Sequence, residues 1–593
     1  MKNSNLFPDS HFVGYVSHIS PSFTKVHLPS SSLLKKFYYD CEALQAGLVG
    51  NYLLIEGENY GFLAQVIEIS LPEKERLDLT QSSFEKTNLH PTARVEILLC
   101  FNYYEAQKAT KGLNQLPPIG AKVFICSTEI LKSFLQDFGK NTKENPNEPA
   151  FEIANLPDDE NATINLSPQA LFGRHCAIVG TTGGGKSYTV AKLLEEITKN
   201  DGKAIVIDAT GEYETLKSDG RVKYLKFNDG EQSIYFHYSG LRETDLSALF
   251  RPAGQVQLPK LQSAYKSLRL HKELLRKEVI KEILIGEKVW LSSKNYLKKS
   301  DVLRDPAYYT IEKNYLSIID SVNCDFDITK LSFQVYHECI WESGRASNNP
   351  TEDKSKHFGG KNDTELGHCS SLISRINTTL KNNSFVKAFG VDETALGINN
   401  FISIFENFIH PNSKENLLIL SVENVTSDND LKAVLVNAIG RYLYEKALAS
   451  EKCFKSRPLI LMLDEAHQFL NKKVKDEYSL EIELNAFEKI AKECRKQGLF
   501  LVLSTQMPRD IPQGVLSQFG TFIVHRLINQ RDREVIEYAC SEATKSALSF
   551  LPILAPGEAV LAGVDFPMPI ILKIKKPKIT PNSDTPIIFK GGQ

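Results

Sequence analysis

The chain has no apolar run approaching the roughly 20 residues that a membrane helix needs. Its first ten residues, MKNSNLFPDS, hold no apolar segment of the kind that marks a secretory leader. A membrane-spanning or exported protein is therefore not expected, and a cytoplasmic one is. An excess of either charge is also missing, since 70 Lys and Arg stand against 72 Asp and Glu, a net charge of -2. That excludes a protein coated in basic surface. It leaves room for a polyanion in a narrow channel, which needs only a local cluster of Lys and Arg. Ten cysteines run from Cys41 to Cys540 without a CxxC pair. Their spacing writes neither a zinc site nor a disulfide framework, and reduced thiols are expected. His368 and Cys369 are adjacent, but no second pair accompanies them, so they read as ordinary residues. No internal repeat is visible.

At 593 residues the chain exceeds the size at which a single core stops growing, and two to four domains are expected. Residues 1–138 read as an all-β module, a small β-barrel or sandwich: short apolar or alternating runs (Phe12–Val16, Tyr52–Ile55, Ala93–Leu99, and one near Lys122–Cys126) recur between turn residues. Residues 139–168 are polar, with three prolines within 139–166, and so read as a linker. From 169 to 250 apolar strands alternate with amphipathic helices, as in a parallel α/β sheet. Long helical periodicity with few strand candidates makes 251–390 a helical insertion. The α/β pattern returns over 391–550, and 551–593 close the chain as a C-terminal brace. The fold class expected is α/β, a RecA-like P-loop core with an N-terminal barrel and a helical insertion.

Chemistry is written most plainly at Gly180-Thr181-Thr182-Gly183-Gly184-Gly185-Lys186-Ser187, which satisfies GxxxxGK[ST]. An apolar strand, Cys176–Val179, precedes it, and a helix opens at Tyr188. Glycines let backbone amides wrap phosphates, and the helix N-terminus adds donors and a favourable dipole. Gly180 through Ser187, with Tyr188, thus form the nucleotide-binding set. Lys186 reaches the β- and γ-phosphates, and the Ser187 hydroxyl is a Mg²⁺ ligand. The run Pro458–Leu463 delivers Asp464 to a strand end as a second Mg²⁺ anchor, with Glu465 one residue on as the base that polarises water. The alternative is a strand that merely ends in acidic surface residues. The strand Leu499–Ser504 leads to Gln506, suited to sense the γ-phosphate or the lytic water. The strand Ile205–Ile207 ends in Asp208-Ala209-Thr210-Gly211-Glu212-Tyr213, so Asp208 and Glu212 are placed at the carboxyl ends of strands, where ligands of such sheets bind.

Phosphoryl transfer is accelerated when an arginine meets the developing charge. Arg174, before the phosphate-loop strand, and Arg495, in Glu493-Cys494-Arg495-Lys496-Gln497-Gly498, are the candidates, with Arg526 a weaker third. Each is equally readable as a surface residue. An arginine acting on a neighbouring subunit requires a closed ring. Lys472, Lys473 and Lys475 form a basic loop that tracks DNA phosphates if it faces a pore, and is a solvated face otherwise.

These blocks resemble the HerA helicases. The resemblance rests on Arg174–Val179 running into the glycine loop, on Asp208–Tyr213, on Asp464-Glu465-Ala466-His467, and on Arg495–Gly498 with Ser504–Pro508. It departs at Ala209, where the family usually has proline. The resemblance implies a homohexameric ring that translocates double-stranded DNA with ATP and Mg²⁺, without a membrane partner. It also implies an effector, a nuclease or NAD-hydrolase, docked on the barrel face in DNA processing or antiviral defence. The competing expectations are a ring scaffold gated by ATP, and a conjugation or secretion ATPase of the same superfamily.

Overall fold

The computed structural model describes residues 6–29, 37–39, 42–44, 48–71, 90–102, 115–135, 138, 148–157, 159–230, 233–276, 296–297, 299, 316–321, 323–341, 360–391, 399–449, 454–470, 473–474, 482–540 and 545–583. The chain divides into two compact units, Met1–Gly202 with Phe500–Gln593, and Lys203–Leu499.

The first unit opens with a closed six-stranded barrel. Its strands are ordered Phe12–Ile19, Thr24–His27, Thr92–Asn102, Tyr60–Ser70, Tyr52–Glu56 and Lys122–Ile125, the last pairing back to the first. Alternation turns Val13, Val26, Leu53, Ile55, Phe62 and Val95 inward as its core. Bulges between Val16 and His18 and between Val66 and Glu68 bend the strands, as closure of so small a barrel requires.

The rest of this unit is a mixed sheet. In its parallel part, Cys176–Val179 lies between Leu499–Thr505 and Thr521–His525, with Ala177 opposite both Leu503 and Phe522. All four residues of the central strand are fully buried, the signature of a strand covered on both faces. One cover is the helix Lys186–Lys199, which buries Val190, Leu193, Leu194 and Ile197 at helical spacing, each contributing about 1.5–3 kcal/mol. The sheet then continues antiparallel through Glu558–Gly563, Ile570–Ile574, Phe151–Leu156 and Asp159–Leu166.

One sequence expectation changes here. Residues 151–166, read as linker from their prolines and acids, form two paired strands at the rim of this sheet. The alternation in Phe151-Glu152-Ile153 buries one face and leaves the other to solvent, so polarity there marks a half-exposed strand. The C-terminal segment supplies two further strands to the same sheet.

The second unit carries four parallel strands in the order Leu459–Leu463, Lys203–Asp208, Leu417–Ser421 and Val222–Lys226. Val206 faces both Ile419 and Met462. Between the strands Val222–Lys226 and Leu417–Ser421 the chain is helical, with Gln257–Arg276, Leu331–Glu338, Asp363–Lys381, Asn383–Phe389 and Phe401–Ile409 among the described residues. Ion pairs knit the unit: Arg441 reaches the buried Asp245, and the buried Arg269 meets Glu243 at 2.7 Å. No helix among the described residues is long and apolar enough to cross a membrane. The described cysteines are unbridged, and Cys369 is buried in the helix Asp363–Lys381.

Candidate nucleotide site and its catalytic residues

The phosphate loop leaves the carboxyl end of Cys176–Val179 and enters the helix at Lys186. Gly183 and Gly185 adopt φ of 74° and 110°, backbone that a side chain resists, so glycine is required at both positions. The loop is pinned from both flanking strands: Gly180 N–H donates to the Thr505 carbonyl at 3.3 Å, and Thr181 N–H to the Arg526 carbonyl at 3.1 Å. Lys186 is buried, while Ser187 and Tyr188 are half-buried in the first turn. Gln506, at the end of the neighbouring strand, accepts a hydrogen bond from the Thr182 hydroxyl at 2.6 Å. The structure thus joins two residues 324 positions apart at the loop.

Arg174 stands at the opposite end of the phosphate-loop strand. Its Nε donates to both carboxylate oxygens of Asp565, at 3.1 and 2.8 Å, and its aliphatic stem covers Gly520. His175 and the whole strand Cys176–Val179, on the order of 13 Å long, separate it from Gly180, so it does not serve the phosphate loop of its own chain.

The second unit gathers the acidic residues. Asp464 and Glu465 follow the strand Leu459–Leu463, and both are buried. Asp464 N–H donates to the Ile207 carbonyl at 3.0 Å. Glu465 is held at φ 44° and ψ 48°, a left-handed conformation costing a non-glycine residue roughly 1–3 kcal/mol. Its Oε2 lies 3.2 Å from His467 Nδ1. Asp208 is fully buried and accepts N–H groups from Thr210, Gly211 and Tyr213 at 3.3, 2.8 and 3.2 Å. Burial outweighs those donors and pushes its carboxyl up to about 6. Asp208 therefore shapes the turn that follows it. Glu212 opens that turn, where Gly211 at φ 81° passes so close to Glu423 that a β-carbon would meet its carboxylate at 1.8 Å.

Tyr213 draws these acids into one neighbourhood. It is completely buried, and its phenol is pushed far up, first by burial and then by Asp464, Asp208, Glu212 and Glu465. Its position in the Asp208–Tyr213 block was visible in the sequence, but an aromatic between two glutamates gives no local sign of such surroundings. Arg495 is exposed in the turn Arg495–Gln497, which Gly498 ends at φ 84°. The Arg526 side chain is exposed, and its carbonyl does the work at the loop. Of the basic loop, Lys472 and Lys475 lie outside the described residues, and Lys473 begins a two-residue strand paired with Ile482–Glu483.

A phosphate loop between two parallel strands, with a polar amide reaching it from the next strand end, defines a P-loop nucleotide hydrolase. Two family models match the chain: "Helicase HerA, central domain" over residues 151–330 and "Helicase HerA-like C-terminal" over residues 410–550. The probable DNA double-strand break repair helicase HerA of Methanocaldococcus jannaschii is 26% identical over 476 residues, covering 77% of this chain and 80% of its own. The DNA double-strand break repair helicase HerA of Pyrococcus furiosus is 21% identical over 430 residues, covering 72% and 69%. Among solved structures, VirB4 of Thermoanaerobacter pseudethanolicus aligns with 72% of this chain and 96% of its own, at 13% identity and a TM-score of 0.44. The chain belongs to the HerA-like family and is an ATP-hydrolysing P-loop enzyme.

Proposed function

We propose that this protein is a motor that spends ATP to move along double-stranded DNA as a homohexameric ring. The observation that carries the motor reading is the glycine loop with Gln506 already bonded to Thr182 at 2.6 Å, a contact through which the strand end can sense what occupies the loop. DNA as the track is supported by the relatives, several of which are named DNA double-strand break repair helicases.

In this reading the amides of Gly180–Gly185 wrap the phosphates, and Lys186 offsets the charge of the β- and γ-phosphates. Tyr188, in the first turn, sits beside the bound nucleotide. Ser187 and Asp464 are the residues that would hold Mg²⁺, since hydroxyl and carboxylate oxygens are the hard donors that this ion takes. Bound there, the ion would neutralise charge on the phosphates. Glu465, fixed by its strained backbone and by His467, accepts a proton from the attacking water. Arg174 and Arg495 act on a neighbouring subunit, a role supported by the exposure of Arg495 and by the position of Arg174 at the far end of its strand.

The finer reading adds an effector, a nuclease or NAD-hydrolase in DNA processing or antiviral defence, docked on the barrel. It is supported by apolar side chains exposed on the barrel and the loop entering its last strand, Tyr15 at 44% and Ile119 at 71%. Turnover measured with and without double-stranded DNA tests the motor. Rates indifferent to DNA favour a ring scaffold gated by ATP.

A further inference from the structure

The strand Thr521–His525 ends on a histidine that lies directly behind the phosphate loop. His525 is fully buried. Its Cβ stands 2.5 Å from where a side chain on Gly180 would begin, and its Cε1 3.3 Å from the same point on Gly185. The glycines at 180 and 185 thus make room for this ring as well as for phosphate.

The ring's tautomer follows from its partners. Nδ1 lies 2.8 Å from the Glu558 carbonyl oxygen, which has no proton to give, so Nδ1 carries the hydrogen. Nε2 then offers a lone pair, and the Thr189 hydroxyl, 2.7 Å away, donates to it. Thr189 belongs to the first turn of the phosphate-loop helix, and the Gly185 carbonyl, 3.1 Å away, competes as the longer acceptor for the same hydroxyl hydrogen. Beside this path runs a second: Gly557 N–H donates to the Gly184 carbonyl at 3.2 Å.

We propose that His525 is a positioning residue for the phosphate loop, a neutral strut from Thr189 to the turn Gly557–Glu558 that holds Gly180–Gly185 in the curvature phosphates require. The proposal rests on the reading of Gly180–Ser187 as the nucleotide site. Burial, with Lys186 nearby, pushes the imidazole down to about 4, so at neutral pH it brings no second charge to the loop. The C-terminal strands thereby become part of the nucleotide site, because the backbone that anchors the ring is theirs.

The test uses the full-length protein and ADP as the probe, with affinity from calorimetry and steady-state ATP turnover. Thr189→Val keeps the side-chain shape and removes the donor, and Thr189→Ser restores the donor. The strut predicts that valine weakens ADP binding by about tenfold, that serine recovers it to within about twofold, and that the two variants melt within a few degrees of each other without nucleotide. His525→Gln should show a loss at least as large. Valine binding ADP as tightly as wild type overturns the proposal, as does serine failing to recover what valine loses. Wild type failing to bind ADP removes the nucleotide reading itself, and the strut with it.

Discussion

His525 makes a quantitative demand on the pH dependence of stability. An unfolded histidine takes up its proton near 6.5, whereas the buried ring resists until about 4. Above pH 6.5 both states are neutral and nothing is lost. As pH falls through the window between the two values the unfolded chain gains a proton that the native state refuses, and stability drops. The gap caps the loss at about 3 kcal/mol, of which about 2 kcal/mol falls between pH 7 and 4.5. Other groups move the opposite way: burial raises Glu96 in the barrel to about 7 and Asp208 in the second unit to about 6. Each of those adds stability as pH falls through its folded value, so an acid melt of wild type alone blends opposing signs. Comparison with His525→Gln subtracts them. The charged group that acts on the ring is Lys186, and it is common to the two proteins. Amide exchange in the helix Lys186–Lys199 reads the first unit directly. The protection lost on replacing His525 should shrink by about 2 kcal/mol between pH 7 and 4.5. A difference constant to about 0.5 kcal/mol over that range means the native ring titrates ordinarily, and the assignment of a neutral, doubly bonded tautomer fails.

Lys186→Ala should abolish ATP turnover while circular dichroism stays unchanged; retained turnover removes the proposed site. Glu465→Gln should keep ATP binding and lower turnover by on the order of 10²–10⁴, and an unaltered rate would dismiss it as the base. Asp208→Ala strips the acceptor from three N–H groups and should destabilise the second unit by on the order of 3 kcal/mol. Urea unfolding followed by the emission of Trp341 reports this, because that residue belongs to the same unit; an unchanged midpoint would mean that the turn holds without Asp208. If Arg174 acts in trans, mixing inactive Arg174→Ala and Lys186→Ala chains should recover part of the turnover, since some interfaces then pair an intact loop with an intact arginine. No recovery at any mixing ratio argues against that role.

The sequence made the phosphate loop legible because the loop is local: strand, glycines, lysine and helix occupy one short stretch, and each constrains the next. The strand ends at Asp464 and Gln506 were legible for the same reason, as apolar runs halted by polar residues. His525 was not. Its partners, Thr189 and Glu558, lie 336 and 33 positions away, and a histidine closing a strand looks like any other buried one. Arg526 beside it drew the eye as a charged side chain, yet it is the Arg526 carbonyl that grips Thr181. The strands within 151–166 were missed because one exposed face and flanking prolines imitate a loop. Tyr213 illustrates the general limit: the acids around it come from two strand ends, Asp208 and Asp464, that only the parallel pairing of Lys203–Asp208 with Leu459–Leu463 brings side by side.

The central claim is that an ATP-burning ring moves DNA. Its most direct test is ATP hydrolysis by the purified chain with and without double-stranded DNA, with Glu465→Ala as the blank and native mass measured in parallel. The account predicts a hexamer whose turnover rises with DNA and vanishes in the variant. A hexamer that hydrolyses ATP at the same rate with or without DNA would contradict it.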